Sequence, residues 1–302
     1  MKSLTIYILC HNRPDYAKLA IQSVINQTRQ DFSLIVSDNS SNDKVECMVE
    51  KEFHGIRYIR RNPMLKSSEH FIRCIDEADT EYFCLFHDDD VMLPTYVEEV
   101  MLCAKDYPGA VAIGCNANVE RFGKLETQSS FRSFRKHEII ISPNDLAKRY
   151  FSRAQSGIAP FPGYVYKRTL VDKLRPLMNG GKYADVTWLL NLAMSAPVVW
   201  ISVPLITYRL HESNDGNTES LRDRLRFFGF LKQNANYFST GLMKDYRSFV
   251  YKKILNEQKV GNAKRLYLLA NFMRCYRLSR YTRPAYYKAL VIRSIVKLAE
   301  KK

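Results

Sequence analysis

Three consecutive carboxylates, Asp88, Asp89 and Asp90, follow His87 directly behind the aromatic and apolar run Tyr82, Phe83, Cys84, Leu85 and Phe86. Like charges so close repel, and a cluster of this kind destabilises a fold unless a cation sits among them. Carboxylates at a strand end are hard oxygen ligands suited to Mg²⁺ or Mn²⁺, and such an ion neutralises a diphosphate. The plain alternative is a solvated turn that caps a helix opened by Pro94. Two more polar clusters close apolar runs in the same way: Cys10 to Arg13 after "LTIYIL", and the turn formers "DNSSND" (38 to 43) after "FSLIVS". A further carboxylate, Asp185, precedes the apolar run "VTWLLNLAM". By position alone it is a helix N-terminal acid favoured by the helix dipole.

The elements that must position these groups are legible. Residues 4–9 and the short continuous run 32–37 read as strands, the latter buried on both faces. Strands are also expected at 56–60, 82–86 and 110–114. Helices are expected at 14–27, with Ala17, Ala20, Ile21, Val24 and Ile25 on one side, at 43–52, at 67–78 with Ser67 as N-cap, and after Pro94. Strand and helix alternate about five times in the first 115 residues, the signature of a doubly wound, parallel sheet. Ligands in such sheets bind beyond the carboxyl ends of the strands, where all three polar clusters fall. Residues 116–142 read as mixed strand and loop carrying Arg132, Arg135, Lys136 and His137. A strand at 163–168, a helix at 183–195 and a strand at 201–211 follow, with helices after 219.

Five segments carry a family resemblance: "IYILCHNRPDYAKLAIQSVINQT", "DFSLIVSDNSSND", "EYFCLFHDDDVMLP", "GGKYADVTWLLNLAM" and "YRLHESN". In this order and at these spacings the chain resembles the family 2 glycosyltransferases of the GT-A fold, of the bacterial surface-polysaccharide type, over about its first 215 residues. The resemblance implies a Rossmann-like α/β fold with a mostly parallel central sheet, flanking helices and a C-terminal basic helical extension. It implies a catalytic domain at 1–218, with a nucleotide-binding half (1–115) and an acceptor-binding half (116–218), and an extension at 219–302.

The activity implied is inverting transfer of a hexosyl or N-acetylhexosaminyl group from a UDP-sugar to a hydroxyl of a glycan, with Mn²⁺ or Mg²⁺ as cofactor. Carried over by position, His11, Asn12, Arg13 and Asp38 surround the nucleobase and ribose. Asp38 is the uracil reader, since a carboxylate accepts from a uracil N–H. Its structural alternative is an Asx turn. Asp89 is the chief metal ligand, Asp88 contacts ribose or metal-bound water, and Asp90 is a second ligand or an orienting group. His87 stands where the family has its first aspartate; it is an imidazole ligand or a hydrogen-bonded strand-end histidine. Asp185 is the general base. Arg209 and His211 form the closing motif, with His211 a candidate for the metal or the diphosphate. Residues 157–166 are expected to frame a sugar.

Composition bounds the rest. The chain has 302 residues and a net charge of +15, and its hydrophobic content of 46% is that of a globular protein rather than a disordered one. No run reaches the roughly 18 apolar residues of a membrane span. The amino-terminal run reads as a strand rather than a signal peptide. Seven cysteines without a C-x-x-C pair imply reduced thiols and a cytoplasmic protein.

Residues 241–302 hold sixteen Lys and Arg against Asp245, Glu257 and Glu300. In a last helix Tyr287, Leu290, Val291, Ile295 and Leu298 share a face flanked by Arg293, Lys297 and Lys301. That arrangement fits the anionic inner face of the cytoplasmic membrane, or an apolar face packed on the body. It fits an acceptor that is a lipid-linked oligosaccharide. No nucleic-acid-binding module accompanies the charge. The competing function is a non-catalytic nucleotide-sugar or glycan binding module.

Overall fold

The computed structural model describes residues 2–151, 157–171, 178–212 and 220–256. The chain divides into two units, residues 1–239 and 240–302. The expected last helix and most of the basic tail lie outside the described residues.

Strand β1 (Leu4–Cys10) is buried along its whole length, as a run that is apolar but for Thr5 requires of a strand covered on both faces, and the Thr5 hydroxyl is paired with that of Thr80 at 2.8 Å. It pairs in parallel with β2 (Phe32–Asp38) on one side and β4 (Tyr82–His87) on the other, and β3 (Arg57–Arg60) extends the sheet beyond β2. Cys10 stands opposite Asp38, and Leu9 opposite His87. One row of register therefore brings three strand ends level. Helices α1 (Pro14–Ile25), α2 (Lys44–Glu52) and α3 (Ser67–Glu77) make the crossovers. Ser67 is the first helical residue rather than the cap; Lys66 occupies the N-cap without a side-chain bond.

The second half departs from a purely parallel sheet. β6 (Ala112–Arg121) does not pair with β4; β9 (Val165–Lys167) lies antiparallel between them. The long β10 (Val198–Leu210) runs parallel to β6, with register shifts around Pro204. Its first part carries the edge strand β8 (His137–Ile140), and its last part carries the two-residue β5 (Val91–Met92), both antiparallel. β7 (Lys124–Thr127) folds back on the end of β6. Because β4 and β5 both belong to this sheet, the acidic triplet is a tight link fixed at each end. Pro94 does not open the next helix: α4 is Tyr96–Asp106, and the Pro94 carbonyl accepts the Thr28 N–H at 2.9 Å.

α5 (Pro143–Phe151), the short α6 (Arg168–Val171) and α7 (Ala184–Ala193) complete the middle. α8 (Leu221–Gln233) follows the boundary expected at 218/219 and lies in the first unit, residues 1–239. Its Phe227 packs on Phe151 and Tyr183 at ring distances of 4.6 and 5.2 Å, and Asp223 accepts the Lys182 N–H at 3.2 Å. These contacts tie it to the helix that carries Asp185. In the second unit, α9 (Thr240–Asn256) is the described element. Among the described residues no helix is long and apolar enough to cross a membrane. The six described cysteines are free thiols, five of them buried.

Candidate active site

The turn after β1 and the turn after β2 are sewn together by short polar side chains. Asn12 adopts φ 58°, a left-handed conformation that asparagine tolerates better than most residues. Its N–H donates to Ser40 Oγ at 2.7 Å, and its Oδ1 accepts from the Ser41 N–H at 2.9 Å and Asn42 Nδ2 at 3.0 Å. His11 Nδ1 lies 2.8 Å from the Asn39 carbonyl, and His11 Nε2 lies 3.2 Å from Asn12 Nδ2. The two contacts are satisfied together when Nδ1 carries the proton.

Asp38 is fully buried, and its four acceptor positions are taken. Oδ1 accepts from the Ser40 N–H at 2.9 Å and hydroxyl at 2.5 Å; Oδ2 accepts from the Tyr58 hydroxyl at 2.6 Å and Arg60 NH1 at 2.8 Å. A uracil N–H would have to displace one of these donors. Tyr58 and Arg60 escaped the sequence reading. Their signal was the i, i+2 spacing on β3, which puts both side chains on one face of the strand beside Asp38.

The acidic triplet separates into three environments. Asp88 Oδ2 accepts the His11 N–H at 2.9 Å, and its Oδ1 accepts from Arg13 NH2 at 2.5 Å. Burial pushes its carboxyl up to about 6, against the pull of Arg13. Asp89 Oδ2 takes Arg13 NH1 at 2.6 Å and lies 3.0 Å from His211 Nε2. Burial raises its carboxyl, but His87, Arg13 and His211 together hold it below the ordinary value. Asp90 Oδ1 accepts the Arg209 backbone N–H at 2.9 Å. Its Oδ2 is buried with no hydrogen-bond partner among the described residues, and burial with the Asp89 charge drives this carboxyl well above its usual range.

Arg209 braces the link from beneath, donating Nε–H to the Asp89 carbonyl at 2.5 Å while its guanidinium lies over the Tyr16 ring at 4.8 Å. Tyr16 in turn stacks on His211 at 4.8 Å.

Ligand atoms of His87, Asp89 and Asp90 lie within 4.8 Å of one another. This donor set and the unmatched Asp90 oxygen fit a divalent cation, and one imidazole among carboxylates suits Mn²⁺ better than Mg²⁺. His211 stands against Asp89 at the edge of the same group.

Asp185 lies in the first turn of α7, where the N–H groups of Asp185 and Val186 bond its carboxylate. Burial nevertheless pushes its carboxyl up to about 6. The Tyr208 hydroxyl is raised by burial and by Asp90, Asp89 and Asp185. Tyr208 is thus the side chain within electrostatic reach of both ends of the site. Between them stands an aromatic wall that sequence reading also missed: the His87 ring packs 6.0 Å from Phe71 and 5.7 Å from Phe161, and Phe161 lies 6.3 Å from Trp188 on α7. Phe161 falls in the stretch expected to frame a sugar. Just before α7, Gly181 has φ 61° and ψ −128°, and a Cβ there would strike Asp223 Oδ1.

A mixed α/β sheet with an acidic link between its central strand and a short antiparallel one is the architecture of the GT-A fold class. Residues 5–173 match the model of glycosyl transferase family 2, and the chain belongs to that family. A curated relative, the GalNAc(5)-diNAcBac-PP-undecaprenol beta-1,3-glucosyltransferase of Campylobacter jejuni, is 25% identical over 179 residues, covering 58% of this chain and 55% of the relative. The chain thus spans about half the length of that relative. Among solved structures, S. aureus TarS 1–349 in complex with UDP-GlcNAc superposes with a TM-score of 0.59 at 14% identity, covering 93% of this chain and 74% of that one. The mannosyltransferase PcManGT of Pyrobaculum calidifontis, in complex with GDP-Man and Mn²⁺, superposes with a TM-score of 0.56 at 12% identity, covering 99% and 88%. At such identities the superpositions speak for the fold.

Proposed function

We propose that the protein is a metal-dependent, inverting glycosyltransferase that moves a sugar from UDP to a hydroxyl of a glycan, a lipid-linked oligosaccharide being the acceptor class. The observation that carries the reading is the His87, Asp89 and Asp90 donor set, with one buried carboxylate oxygen of Asp90 that no group among the described residues satisfies. A bound Mn²⁺ or Mg²⁺ would act there as a Lewis acid toward the donor diphosphate. His11, Asn12 and Arg13 line the nucleotide side. Asp38 reads the base only by giving up Tyr58 or Arg60. Asp88 stays with the ribose side, through its bonds to His11 and Arg13.

Asp185 takes the acceptor hydroxyl proton, and its raised pKa suits a general base working near neutrality. The hydroxyl oxygen attacks the anomeric carbon from the face opposite the departing diphosphate, so the configuration inverts. The relative from C. jejuni, whose name places it on an undecaprenol-linked glycan, supports the acceptor class, and the UDP-GlcNAc complex of TarS supports the donor class. Attachment of the basic tail to an anionic membrane belongs to the same reading.

A donor screen that measures nucleotide release with Mn²⁺ and with Mg²⁺ tests it. Release from one UDP-sugar, dependent on metal and on a polyprenyl-linked acceptor, is expected. Nucleotide binding by calorimetry without turnover of any UDP- or GDP-sugar would leave the non-catalytic binding module instead.

A further inference from the structure

The segment that joins β6 to β8 leaves apolar and cationic side chains in solvent. Phe122 is 66% exposed, Leu125 56%, and the Phe134 side chain is wholly exposed. Exposed apolar residues are ordinary one at a time. Here three stand close in sequence and are interleaved with Lys124, Arg132 and Arg135, none of which forms a salt bridge among the described residues.

Phe122 is the more telling of the rings. It and Gly123 form the two-residue turn of the β6–β7 hairpin at φ 49° and φ 75°. Both signs are those of a type I′ turn, in which Asn or Gly sits at the first position without strain. A phenylalanine there is strained by its Cβ, and at 66% exposure it recovers little by burial. Strained residues of this kind cluster at functional surfaces, where the conformation serves contact with a ligand rather than packing.

Phe134 is not left outside by slackness. Asn116 donates to the Phe131 carbonyl at 2.9 Å and accepts from the Ser130 and Phe131 N–H groups at 2.8 and 3.1 Å. Phe131 itself is buried 4.9 Å from the Trp200 ring, and the Lys136 carbonyl accepts the Ser202 N–H at 3.0 Å. The loop is pinned on both sides of Phe134, which projects outward from a firm base.

We propose that residues 122–135 form a docking surface for an anionic lipid bilayer. Phe122, Leu125 and Phe134 enter the interfacial layer, and Lys124, Arg132 and Arg135 meet the lipid phosphates. Aromatic rings beside unpaired cations match that layer in both polarity and charge. The hairpin is joined to the candidate site, since the Phe122 N–H donates to the Leu210 carbonyl at 3.2 Å, one residue before His211. Docking would set that edge of the site at the membrane surface. The surface rests on the lipid-linked acceptor reading for its purpose but not for its existence, and binding is measured without donor or acceptor. A protein that binds vesicles but transfers nothing would refute only the transfer reading.

The test uses the full chain with phosphatidylcholine vesicles, with and without phosphatidylglycerol. Phe134→Trp and Phe122→Trp serve as reporters against brominated lipid, because the native Trp188 and Trp200 are buried. Quenching at either position on phosphatidylglycerol vesicles is expected. Arg132→Ser with Arg135→Ser should weaken partitioning about 25-fold, roughly fivefold per cation. The proposal is overturned by absence of vesicle binding, by binding without quenching at either position, or by a double variant that partitions like the parent. It is also overturned if the substitutions change the oligomeric state while leaving partitioning intact, which would assign the surface to a second copy of the chain.

Discussion

Arg13 and Asp89 form an ion pair at 2.6 Å, and the carboxylate oxygen that joins them also lies 3.0 Å from His211 Nε2. The other end of the same guanidinium holds Asp88 at 2.5 Å. One cation therefore balances two carboxylates that the fold buries, and it does so on an oxygen that a divalent ion at Asp89 would also seek.

Arg13→Gln is accordingly expected to destabilise the metal-free protein by about 3 kcal/mol, the usual cost of stripping a partner from a buried charge pair. Saturating Mn²⁺ should restore much of that loss, because the ion replaces the missing charge. Thermal unfolding in EDTA and in Mn²⁺ measures both, and the Mn²⁺-induced rise in Tm should be larger in the variant than in the parent. Equal rises would mean that arginine and metal do not share Asp89.

Asp185→Asn should lower transfer by about 10²- to 10⁴-fold at pH 7 and above, since it removes the proposed base, with the deficit shrinking as pH falls through about 6 and the parent's own carboxylate is protonated; nucleotide binding should be unchanged. Its effect on stability has the opposite sign. Burial raises this carboxyl to about 6, so the native state binds a proton more tightly than the unfolded chain does. The parent is therefore most stable below about pH 4 as far as this group is concerned, and that contribution is lost as pH rises through about 6. The asparagine variant imitates the protonated acid. It should match the parent near pH 4 and exceed it by about 3 kcal/mol at pH 7, the worth of a shift from 3.8 to about 6. Denaturant titrations of both proteins across that range check the crossover.

The contrast between Asp185 and Asp38 shows how far sequence carried this site. Apolar runs ending in polar clusters marked β1, β2 and β4 because a buried parallel strand has no other way to finish, and their carboxyl ends do meet in one row of register. The acidic triplet was legible for the same reason. What escaped depends on pairing between distant segments. Nothing local to "GYVYKR" says that β9 will lie antiparallel between β4 and β6. The ring contacts of His87 with Phe71 and Phe161 join residues 16 and 74 positions apart, and no periodicity records them. The helices expected after 219 carry no local mark of what they pack on; Asp223 and Phe227 of α8 meet Lys182 and Phe151, contacts between segments far apart in sequence.

His87 offers a test of the cation. An imidazole in the donor set favours Mn²⁺ over Mg²⁺. The parent should therefore release nucleotide at a lower Mn²⁺ than Mg²⁺ concentration. His87→Asp should narrow that preference by supplying a harder oxygen donor, and His87→Ala should raise the Mn²⁺ requirement tenfold or more. Half-saturating metal concentrations for the three proteins decide it. An unchanged metal response in both variants would reduce His87 to its place between the aromatic rings.

Gly181 and Asp223 set the position of Asp185 from one turn away. Asp223 closes a capping box with Ser220 at the start of α8, and its other oxygen accepts the Lys182 N–H at 3.2 Å. Gly181 has φ 61° and ψ −128°, a combination that L residues avoid at a cost of about 1–3 kcal/mol. A methyl group there also meets Asp223 Oδ1. Gly181→Ala is therefore expected to lower stability and to reduce kcat more than it raises the donor KM, because the carboxylate that moves, Asp185, is the proposed base and not a proposed donor contact. Asp223→Ser removes the obstructing oxygen while keeping a small polar cap. If the clash is the chief fault, the double variant should lose less than the sum of the two single losses, by about 0.5–3 kcal/mol. Strict additivity would assign the whole effect to the backbone of Gly181.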